Sequence, residues 1–411
     1  MTKIVIIGGG AAGLTAAINA KSDTNEVVIL ERNSTCGKKL LITGNGRCNY
    51  YNSNQNLEKY YSQNMELIPQ IINDNNSKKI IDFFDDLGIV PMIKNGYYYP
   101  FSNQAITIKN SLEKEALRKK VVIKNNFLVE SIKKEKNKYI ISSQSDQIIA
   151  DILVIATGSK ASPLTGSDGI GYKLLKDLSH NIVKPLPALV QLKTKGKYLK
   201  DWSGIRTEVK LSLYEDGKKI KEEFGQIQLT NYGISGICTF NLSGIISRGL
   251  NDHKEEIVKI NFLPFLNYNS IDEYIDWFNS KSIKKDKSIF DILEGVLNNK
   301  LVFVLLKYNN IEKDKVWYSL SQEEKIKLIT SLISFKVEIT ETTGFSNAQV
   351  CSGGVLLTDI NLTTMESKIN KNLYIVGELL DIYGDCGGYN LTIAWLSSIL
   401  AGQNIKEKNN D

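Results

Sequence analysis

Histidine is almost absent from this 411-residue chain, which contains only His180 and His253. Imidazole is the commonest metal ligand in proteins and the commonest general acid–base group. Chemistry that needs two histidines, or a metal centre with several of them, is therefore disfavoured. We interpret each histidine as a surface or helix-end residue rather than a catalyst.

Cysteine pairs are also lacking, since no two cysteines form a CxxC or CxxxxC pattern. Structural zinc sites and the redox-active dithiols of disulfide reductases usually need such pairs. We therefore predict no metal site and no catalytic disulfide. An odd number of scattered cysteines is typical of a reducing compartment, so we expect a cytoplasmic protein. The five cysteines are Cys36, Cys48, Cys238, Cys351 and Cys386.

No hydrophobic run is long enough to span a bilayer, and the chain does not open with a basic segment followed by a long apolar run. We therefore expect no association with a membrane. The formal charge of +6 comes from lysines spread along the chain rather than clustered, so a nucleic-acid partner is not predicted. The length suggests two or three domains as a first expectation, and nothing indicates the oligomeric state.

A dinucleotide-binding pattern is present near the start. An apolar strand, Ile4–Ile7, leads into GxGxxG at residues 8–13, then an Ala-rich helix, a second strand and Glu31. In this pattern Gly8 allows the tight turn, Gly10 lets the backbone approach a pyrophosphate, and Gly13 lets the helix pack closely. The helix N-terminus offers N–H groups to phosphate. A carboxylate about twenty residues after the glycines can accept hydrogen bonds from ribose.

Three later segments favour FAD over NAD as the dinucleotide. A buried strand ends in Ala156-Thr157-Gly158, a second element familiar in flavoproteins with two dinucleotide folds. LYIVGELLD at 373–381 resembles a closing strand whose acidic residue faces the ribityl chain. Residues 387–390, GGYN, open a helix whose N-terminus could stabilise negative charge on a reduced flavin. No second GxGxxG follows a strand, so we predict one bound dinucleotide and no separate NAD(P) domain.

Between these segments the pattern changes. Residues 187–265 alternate short strands with turn signals, and residues 270–333 are mostly helical. The simplest organisation is an α/β nucleotide-binding domain formed from both ends of the chain around a large insert. In the first part we also expect helices over 57–73 and 103–119, an aromatic loop over 96–103 and a strand over 126–132.

Several motifs together resemble the YhiN/BaiN-type flavoproteins, a group that also includes enzymes named aminoacetone oxidases. The motifs are TGNGRCN (43–49), AQVCSGGV (348–355), TTMESK (363–368), VGELLD (376–381) and GGYN (387–390). The resemblance implies a Rossmann-like FAD-binding domain of the glutathione-reductase type, interrupted by a β-barrel insert that carries a helical subdomain. The expected boundaries are 1–186 and 346–411 for the FAD domain, 187–267 and 334–345 for the barrel, and 268–333 for the helical subdomain.

The resemblance also implies the residues that hold FAD. The pyrophosphate is expected at the glycine turn, the adenosine ribose at Glu31 and Arg32, and adenine at the backbone of Val129. The remaining expected contacts come from later motifs. They are the lysines near the phosphates, the residues that face the ribityl chain and the residues along the isoalloxazine ring. The complete set is Gly8, Gly10, Ala12, Gly13, Glu31, Arg32, Lys38, Lys39, Gly46, Arg47, Cys48, Asn49, Val129, Thr157, Gly158, Gly377, Glu378, Asp381, Gly388, Tyr389, Asn390 and Leu391.

The catalytic group is not identified by the sequence. Arg47 could orient a substrate carbonyl or bind only backbone, and Tyr389 could donate a proton or only pack. Cys48 is more typical of a small buried filler than of a reactive thiol. The chain departs from the family pattern at Asn45, Cys351, Tyr97 and Cys386, and the last two concern loops expected to line the substrate pocket.

Three functions remain open from the sequence. The first is a reductase in which NADH or NADPH docks transiently and hydride passes through flavin N5 to a conjugated enone, of which the resemblance implies a 3-oxo-steroid or bile-acid Δ4 or Δ6 double bond as the concrete case. The second is an oxidase that converts aminoacetone or a similar small amine with O2, releasing H2O2. The third is a flavin-bound factor of low turnover that interacts with RNA or protein.

Overall fold

The computed structural model describes residues 1–282 and 287–409. The chain forms two compact units. The first consists of Met1–Pro187 together with the segment that begins at Ala348, and the second consists of Ala188–Asn347. The first unit is therefore discontinuous in sequence, with the second inserted into it.

The elements are named here in chain order. From the N-terminus to the end of the first segment they are β1 (Thr2–Ile7), α1 (Ala11–Ala20), β2 (Asn25–Leu30), α2 (Lys38–Ile42), β3 (Tyr51–Asn52), β4 (Tyr60–Tyr61), α3 (Asp74–Asp86), β5 (Pro91–Lys94), β6 (Tyr97–Pro100), α4 (Ala105–Arg118), β7 (Val122–Lys124), β8 (Ser131–Glu135), β9 (Lys138–Ser142), β10 (Gln147–Ala150), β11 (Ile152–Ile155), α5 (Ile170–Asp177) and β12 (Leu186–Ala188). The insert contains β13 (Leu192–Thr194), α6 (Leu199–Trp202), β14 (Arg206–Glu215), β15 (Lys218–Leu229), β16 (Gly233–Ser235), α7 (Ile237–Asn251), β17 (Glu256–Asn261), α8 (Ile271–Lys281), α9 (Ile289–Glu294), α10 (Asn299–Tyr308), α11 (Gln322–Ile333) and β18 (Phe335–Thr342). The last segment contains β19 (Val350–Ser352), β20 (Ile360–Asn361), β21 (Glu366–Ser367), β22 (Leu373–Ile375), β23 (Tyr383–Gly384) and α12 (Tyr389–Lys408).

A seven-stranded sheet forms the centre of the first unit, in the order β20-β21-β22-β11-β1-β2-β7. The strands from β22 to β7 are parallel, and Ile4 in β1 lies between Val27 of β2 and Ile152 of β11. Strands that are buried on both faces need continuous apolar runs, and β1 and β11 have them. Ligands of such sheets bind beyond the carboxyl ends of the strands. The glycine turn begins at this edge, directly after Ile7.

The second unit is built on a closed six-stranded barrel in the order β13-β16-β15-β14-β17-β18. Alternate residues of β14 point inwards, so that Val209, Leu211 and Leu213 are buried. The core of this unit continues among α8–α11, where the rings of Phe278 and Trp317 stack with centroids 4.4 Å apart. The predicted fold class is confirmed: an α/β protein with a Rossmann-like domain and a β-barrel insert.

Three local expectations are wrong. No single helix covers 57–73; 3-10 turns at Leu57–Lys59 and Met65–Gln70 flank the short strand β4, and Pro69 interrupts helical hydrogen bonding. The aromatic loop over 96–103 contains β6, which pairs with β5 across an Asn95-Gly96 turn. Both turn residues have positive φ, as hairpin turns with Asn-Gly do. The strand expected over 126–132 starts only at Ser131, so Val129 lies in a loop.

The β-rich stretch of the insert also contains a helix that the sequence analysis missed. This is α7, which begins after Gly236, and its Leu242 and Ile246 are buried in the core of the unit. Within residues 1–282 and 287–409, no helix is both long enough and apolar enough to cross a membrane.

Candidate functional site

The glycine turn connects β1 to α1 with very little space around two of its glycines. Gly8 has φ +102°, and an added Cβ would be 2.5 Å from the carbonyl oxygen of Ala156. A Cβ on Gly13 would be 1.8 Å from the carbonyl oxygen of Gly8. Larger residues therefore cannot replace these glycines without moving the backbone. The turn and the Ala156-Thr157-Gly158 segment after β11 are in direct contact.

Gly10 differs from its neighbours, because no atom would lie within 4 Å of an added Cβ. Its φ of −80° is available to any residue, so conformation does not require glycine here. Gly10 is also the N-cap of α1 and makes no side-chain cap, which leaves first-turn N–H groups, including that of Ala12, to an outside acceptor. Open space before an uncapped helix N-terminus fits the diphosphate of a dinucleotide.

Glu31 follows β2 and is buried, with only 6% of its surface exposed. Its Oε2 accepts a hydrogen bond of 2.7 Å from the Gly9 N–H, and Oε1 accepts bonds from the backbone and side-chain nitrogens of Asn33 at 2.7 and 2.8 Å. The carboxylate therefore holds the glycine turn in place. A carboxylate offers about four acceptor positions, so ribose hydroxyl groups can still bind to it.

The two basic residues beside this acid have protein partners. Arg32 forms an ion pair with Asp168 and donates from Nη1 to the Gly166 carbonyl oxygen at 3.3 Å. Lys38 donates from Nζ to Asn33 Oδ1 at 3.1 Å. The structure thus joins Arg32 to the turn at 166–168 and Lys38 to the loop after β2. Val129 is buried in the loop that follows β7.

Lys39 and Glu378 come from distant parts of the sequence and form an ion pair of 2.6 Å. Both side chains are about one quarter exposed, and Ser159 donates to the same Glu378 oxygen at 2.9 Å. Glu378 belongs to a 3-10 turn after β22, and the N–H of the preceding Gly377, which has φ +71°, donates to the buried Ser397 hydroxyl in α12. These contacts join α2, the segment after β11 and the end of β22.

The loop at 43–49 has an unusual backbone. Gly44, Asn45, Gly46 and Cys48 all have φ between +55° and +82°. Left-handed conformations cost non-glycine residues free energy, and they cluster at functional sites. Arg47, at the exposed part of the loop, donates from Nε to the Gly44 carbonyl oxygen, and its guanidinium lies 5.4 Å from the centre of the Tyr99 ring.

Cys48 and Asn49 point inwards from this loop. Cys48 is fully buried, and burial raises the pKa of its thiol to about 12. It is therefore a neutral filler at pH 7 and not a nucleophile. Asn49 Oδ1 is buried without a hydrogen-bond partner among the described residues, and an added Cβ on Gly388 would be 3.3 Å from it. An unsatisfied buried acceptor beside a helix N-terminus fits an edge of a ring ligand that carries an N–H group.

The N-terminus of α12, like that of α1, has no side-chain cap. Its N-cap, Gly388, has φ +95°. Asn390 Oδ1 accepts from the Gly384 N–H at 2.9 Å, and its Nδ2 donates to the Gly384 carbonyl oxygen at 2.8 Å. Asn390 thus holds the preceding loop, which leaves the first backbone N–H groups of the helix, as far as Leu391, for an anionic or carbonyl ligand.

Tyrosines surround this helix end. Tyr389 is 4% exposed and meets Tyr60 edge-on, with ring centroids 5.4 Å apart. Burial raises the pKa of Tyr389 to about 12, and Tyr97 and Asp385 add to the effect. Tyr97 lies beside Gly387, where a Cβ would be 2.8 Å from its ring. The position at which the chain departs from the family pattern is therefore next to the helix N-terminus.

The structure also shows residues that the sequence analysis did not select. One residue of this region, Asp381, belongs to the predicted set, and its Oδ2 accepts a hydrogen bond from the Gln63 N–H at 2.9 Å. Two others do not. Ser159, which binds Glu378, and Asn52, which donates to the Gly387 carbonyl oxygen at 3.0 Å, were missed. Ser159 directly follows the ATG segment, which was the available signal. Asn52 had none, because its role depends on contact with a residue 335 positions away.

Comparison with known proteins places these features in a family. A family model described as the HI0933-like protein Rossmann domain matches residues 2–404. The 3-dehydro-bile acid delta(4,6)-reductase of Clostridium scindens is 37% identical over 411 residues, covering 99% of this chain and 100% of that protein. The ribosomal RNA dihydrouridine synthase of Escherichia coli is 26% identical, covering 98% of this chain and 97% of that protein.

A solved structure shows the same fold at low sequence identity. The 3-ketosteroid-delta4-(5alpha)-dehydrogenase of Rhodococcus jostii has a TM-score of 0.50 with 13% identity, covering 98% of this chain and 97% of that one. The motif-based resemblance is thereby confirmed. The chain belongs to the HI0933-like, YhiN/BaiN-type family and is an FAD-dependent oxidoreductase.

Proposed function

We propose that this protein reduces a carbon–carbon double bond conjugated to a carbonyl group, with NADH or NADPH as the transient electron donor. The substrate class that we favour is a 3-oxo steroid of the bile-acid type. The observation that carries this proposal is the 37% identity, over nearly the whole chain, to the bile-acid delta(4,6)-reductase. The aligned region covers 99% of the chain and therefore includes both compact units.

A second relative is consistent with the same chemistry on another substrate. Dihydrouridine is uridine whose C5–C6 double bond, conjugated to the C4 carbonyl, has been saturated. The names of both relatives therefore describe the addition of hydrogen across a double bond next to a carbonyl. This common reaction supports the reaction class more strongly than it supports either substrate.

The residues of the first unit provide the proposed FAD site. The diphosphate would lie at Gly10 and the N-terminus of α1, and the adenosine ribose at Glu31. Glu378 and Asp381 would face the ribityl chain, and Asn49 with the N-terminus of α12 would hold the pyrimidine end of the flavin. Bound FAD supplies the hydride transfer that no amino-acid side chain can provide.

The protein groups around the ring would control binding and charge. The uncapped N-terminus of α12 would offer backbone N–H groups and the positive end of a helix dipole to the negative charge that develops on the ring. The Lys39–Glu378 ion pair would fix the segment after β22. Arg47 is exposed, and its guanidinium contacts the Gly44 carbonyl oxygen and the Tyr99 ring, which leaves it available to orient a substrate carbonyl.

The test is a visible spectrum of the purified protein followed by anaerobic titrations. We expect flavin absorbance, bleaching by NADH or NADPH, and recovery of the absorbance when a 3-oxo-4,6-diene bile acid is added. Mass spectrometry should then find a product that has gained two hydrogens. Failure of both nicotinamides to bleach the flavin would contradict the proposal. Peroxide release from aminoacetone and O2 without nicotinamide would instead support the amine-oxidase alternative.

The same assay distinguishes the two substrate classes. A ribosomal RNA transcript replaces the bile acid, and dihydrouridine is measured by mass spectrometry of the nucleosides. Conversion of the transcript with no conversion of the steroid would assign the protein to the RNA-modifying type of its second relative. Conversion of the steroid alone is the result that we expect, because identity to the steroid-acting relative is higher.

A further inference from the structure

Three residues outside the predicted cofactor set form a connected polar group in the first unit. Asp385 is 1% exposed. Its Oδ1 accepts a hydrogen bond of 2.9 Å from the Tyr61 hydroxyl, and its Oδ2 lies 3.2 Å from Lys59 Nζ. An ionised carboxylate removed from water is costly unless it is paired and hydrogen-bonded. Lys59 and Tyr61 supply these interactions.

The backbone places these side chains together. Strand β4 pairs with β23, so that Tyr61 is opposite Tyr383, and the rings of these two residues stack with centroids 4.8 Å apart. The Asp385 N–H donates to the Lys59 carbonyl oxygen at 2.8 Å. Asn390, in the first turn of α12, binds both the N–H and the carbonyl oxygen of Gly384. The group is therefore attached to the helix end at which we place the flavin ring.

The three side chains of the group differ in their exposure to solvent. The Tyr61 residue is only half-buried, whereas the Asp385 side chain is 2% exposed and the Lys59 side chain is 36% exposed. A polar path thus runs from solvent at Lys59, through a buried carboxylate, to a phenol that lies partly at the surface. Proton relays are built from titratable groups within hydrogen-bond distance of each other. The Tyr61–Asp385 contact is a hydrogen bond, and the Lys59–Asp385 contact is an ion pair of 3.2 Å whose nitrogen must move into hydrogen-bond geometry before a proton passes.

The two catalytic candidates from the sequence, Arg47 and Tyr389, are less suited to proton donation. The guanidinium of Arg47 does not lose its proton in proteins. Tyr389 is more deeply buried than Tyr61, and burial raises its pKa to about 12. Tyr389 packs edge-on against the fully buried Tyr60. It is therefore less accessible to solvent than Tyr61.

We propose that Tyr61 is the catalytic residue that donates a proton to the substrate, and that Asp385 and Lys59 return a proton to it. The inference rests on the proposed function. Saturation of a conjugated double bond adds hydride to the β-carbon, which leaves negative charge on the carbonyl oxygen and the α-carbon. The Tyr61 O–H bond breaks as a new C–H bond forms at the α-carbon, and the phenol becomes a phenolate.

The relay then restores the starting state. Lys59 Nζ gives a proton to Asp385 Oδ2, and the carboxyl group turns about its Cβ–Cγ bond so that the protonated oxygen faces the phenolate. That oxygen passes the proton to Tyr61, and solvent protonates the lysine. The net result is one proton taken from solvent and one hydride taken from the nicotinamide through the cofactor. All three protein groups end in their initial protonation states. Asp385 and Lys59 are positioning residues, since they act only through Tyr61.

The test uses stopped-flow absorbance to measure two half-reactions of the holoenzyme separately: reduction of FAD by the nicotinamide and its reoxidation by the enone. In Tyr61→Phe the ring that stacks on Tyr383 is kept and only the hydroxyl is lost. We expect reduction of FAD by NADPH at the wild-type rate, and recovery of the oxidised spectrum with the enone slowed on the order of 100-fold. Recovery with O2 should not change, because no proton is delivered to a substrate carbon in that reaction.

Two further measurements make the result specific. Tyr139→Phe is the matched control, because it also removes one hydroxyl, which donates to the Lys371 carbonyl oxygen at 2.7 Å, from a fully buried ring. We expect this variant to react with the enone at the wild-type rate. Lys59→Met should leave the first turnover within about threefold of wild type and slow the steady state on the order of tenfold or more. A purely structural role of Lys59 would slow both.

The possible results have distinct meanings. If wild-type protein reacts with the enone and Tyr61→Phe reacts equally fast, the role of Tyr61 is wrong and the proposed function stands. If reduced wild-type protein reacts with no enone, the proposed function is wrong, and the role of Tyr61 is overturned with it. If Tyr61→Phe does not bind FAD, the role of Tyr61 is tested by two other measurements: the solvent deuterium isotope effect on the wild-type enone step and the rates of Lys59→Met. A slowed enone step in D2O together with the Lys59→Met pattern supports the relay, and the absence of both overturns it.

Discussion

Gly13 lies directly against the carbonyl oxygen of Gly8, because a Cβ on Gly13 would be 1.8 Å from that oxygen. A Cβ on Gly10 would meet no atom within 4 Å. Two glycines of one motif therefore have different reasons to be glycine. The first is required by the fold, and the second is free to serve a ligand.

The first prediction compares these two positions. We expect Gly13→Ala to lower the free energy of unfolding by about 1–3 kcal/mol or more, because overpacking forces the backbone to move. Gly10→Val should leave the melting temperature of the apoprotein unchanged and weaken FAD binding about tenfold or more, which corresponds to about 1.4 kcal/mol. Thermal unfolding and quenching of FAD fluorescence measure the two effects. Wild-type FAD affinity in Gly10→Val would contradict our placement of the diphosphate.

The second prediction concerns the Lys39–Glu378 ion pair. Both side chains are about three quarters buried, so Lys39→Met leaves a partly buried carboxylate with the Ser159 hydroxyl as its remaining described partner. We expect weaker FAD binding and a loss of about 1–3 kcal/mol in stability. The matched control is Lys327→Met, which removes an exposed i,i+4 pair with Glu323. That variant should change stability by less than about 0.5 kcal/mol. If Lys39→Met and Lys327→Met changed stability equally, the burial of the Lys39–Glu378 pair would add nothing to its contribution, which would contradict the prediction.

The third prediction is a pH dependence that arises in the barrel. Glu256 in β17 is 1% exposed and faces Glu215 across the β14–β17 pairing. Burial, and then the charge of Glu215, raise the pKa of Glu256 from 4.5 to about 8; Lys254 opposes this shift and Asp216 adds to it. The folded state therefore holds a proton between about pH 4.5 and 8 that the unfolded state has released. Stability is highest below this window and falls as the pH rises through it.

Replacement of this carboxyl group should remove the pH effect. We expect Glu256→Gln to be more stable than wild type at pH 8, by about 2–4 kcal/mol, and nearly equal to it near pH 4.5. Glu255→Gln, at the exposed neighbouring position, is the control. Urea unfolding followed by tryptophan fluorescence reports on this unit, because Trp202, Trp277 and Trp317 lie in it and only Trp395 lies in the other. A pH profile of Glu256→Gln parallel to that of wild type would contradict the assignment.

The fourth prediction is that the Cys48 thiol is inert in the folded protein. Because burial raises its pKa to about 12, only about one molecule in ten thousand carries the thiolate at pH 8. Iodoacetamide should therefore label Cys48 at a negligible rate, whereas the less buried Cys386 should react faster. Peptide mass spectrometry locates the label, and protein unfolded in urea should be labelled at all five cysteines. Rapid labelling of native Cys48 would show that the loop at 43–49 opens.

The fold class could be predicted from the sequence because the signals that indicate it are local. The turn from β1 to α1 depends on glycines within six positions of each other, and the apolar run of Ile4–Ile7 needs no distant information to indicate a buried strand. The insert helices could likewise be recognised from the spacing of their apolar residues, as in α10 and α11. The Asn95-Gly96 hairpin was also encoded locally, and the turn chemistry that reveals it was overlooked.

The failures at 57–73 have a different origin. The short strand β4 exists because Tyr60 and Tyr61 pair with Gly384 and Tyr383, more than three hundred residues away. Pairing at such a separation is decided by how the sheet and α12 pack, and no local propensity contains it. The same reason explains why Asn52 and Tyr61 could not be selected as site residues.

For this protein, then, the sequence by itself determined the fold class and the end of the chain at which the dinucleotide motif lies. Glycine spacing and apolar periodicity are properties of neighbouring residues, and physical chemistry restricts what they can form. Tertiary structure alone decided which polar groups meet at the N-terminus of α12. The approach of Tyr61 and Lys59 to Asp385 depends on distant strands being brought together, since hydrogen bonds and ion pairs act only over a few ångströms.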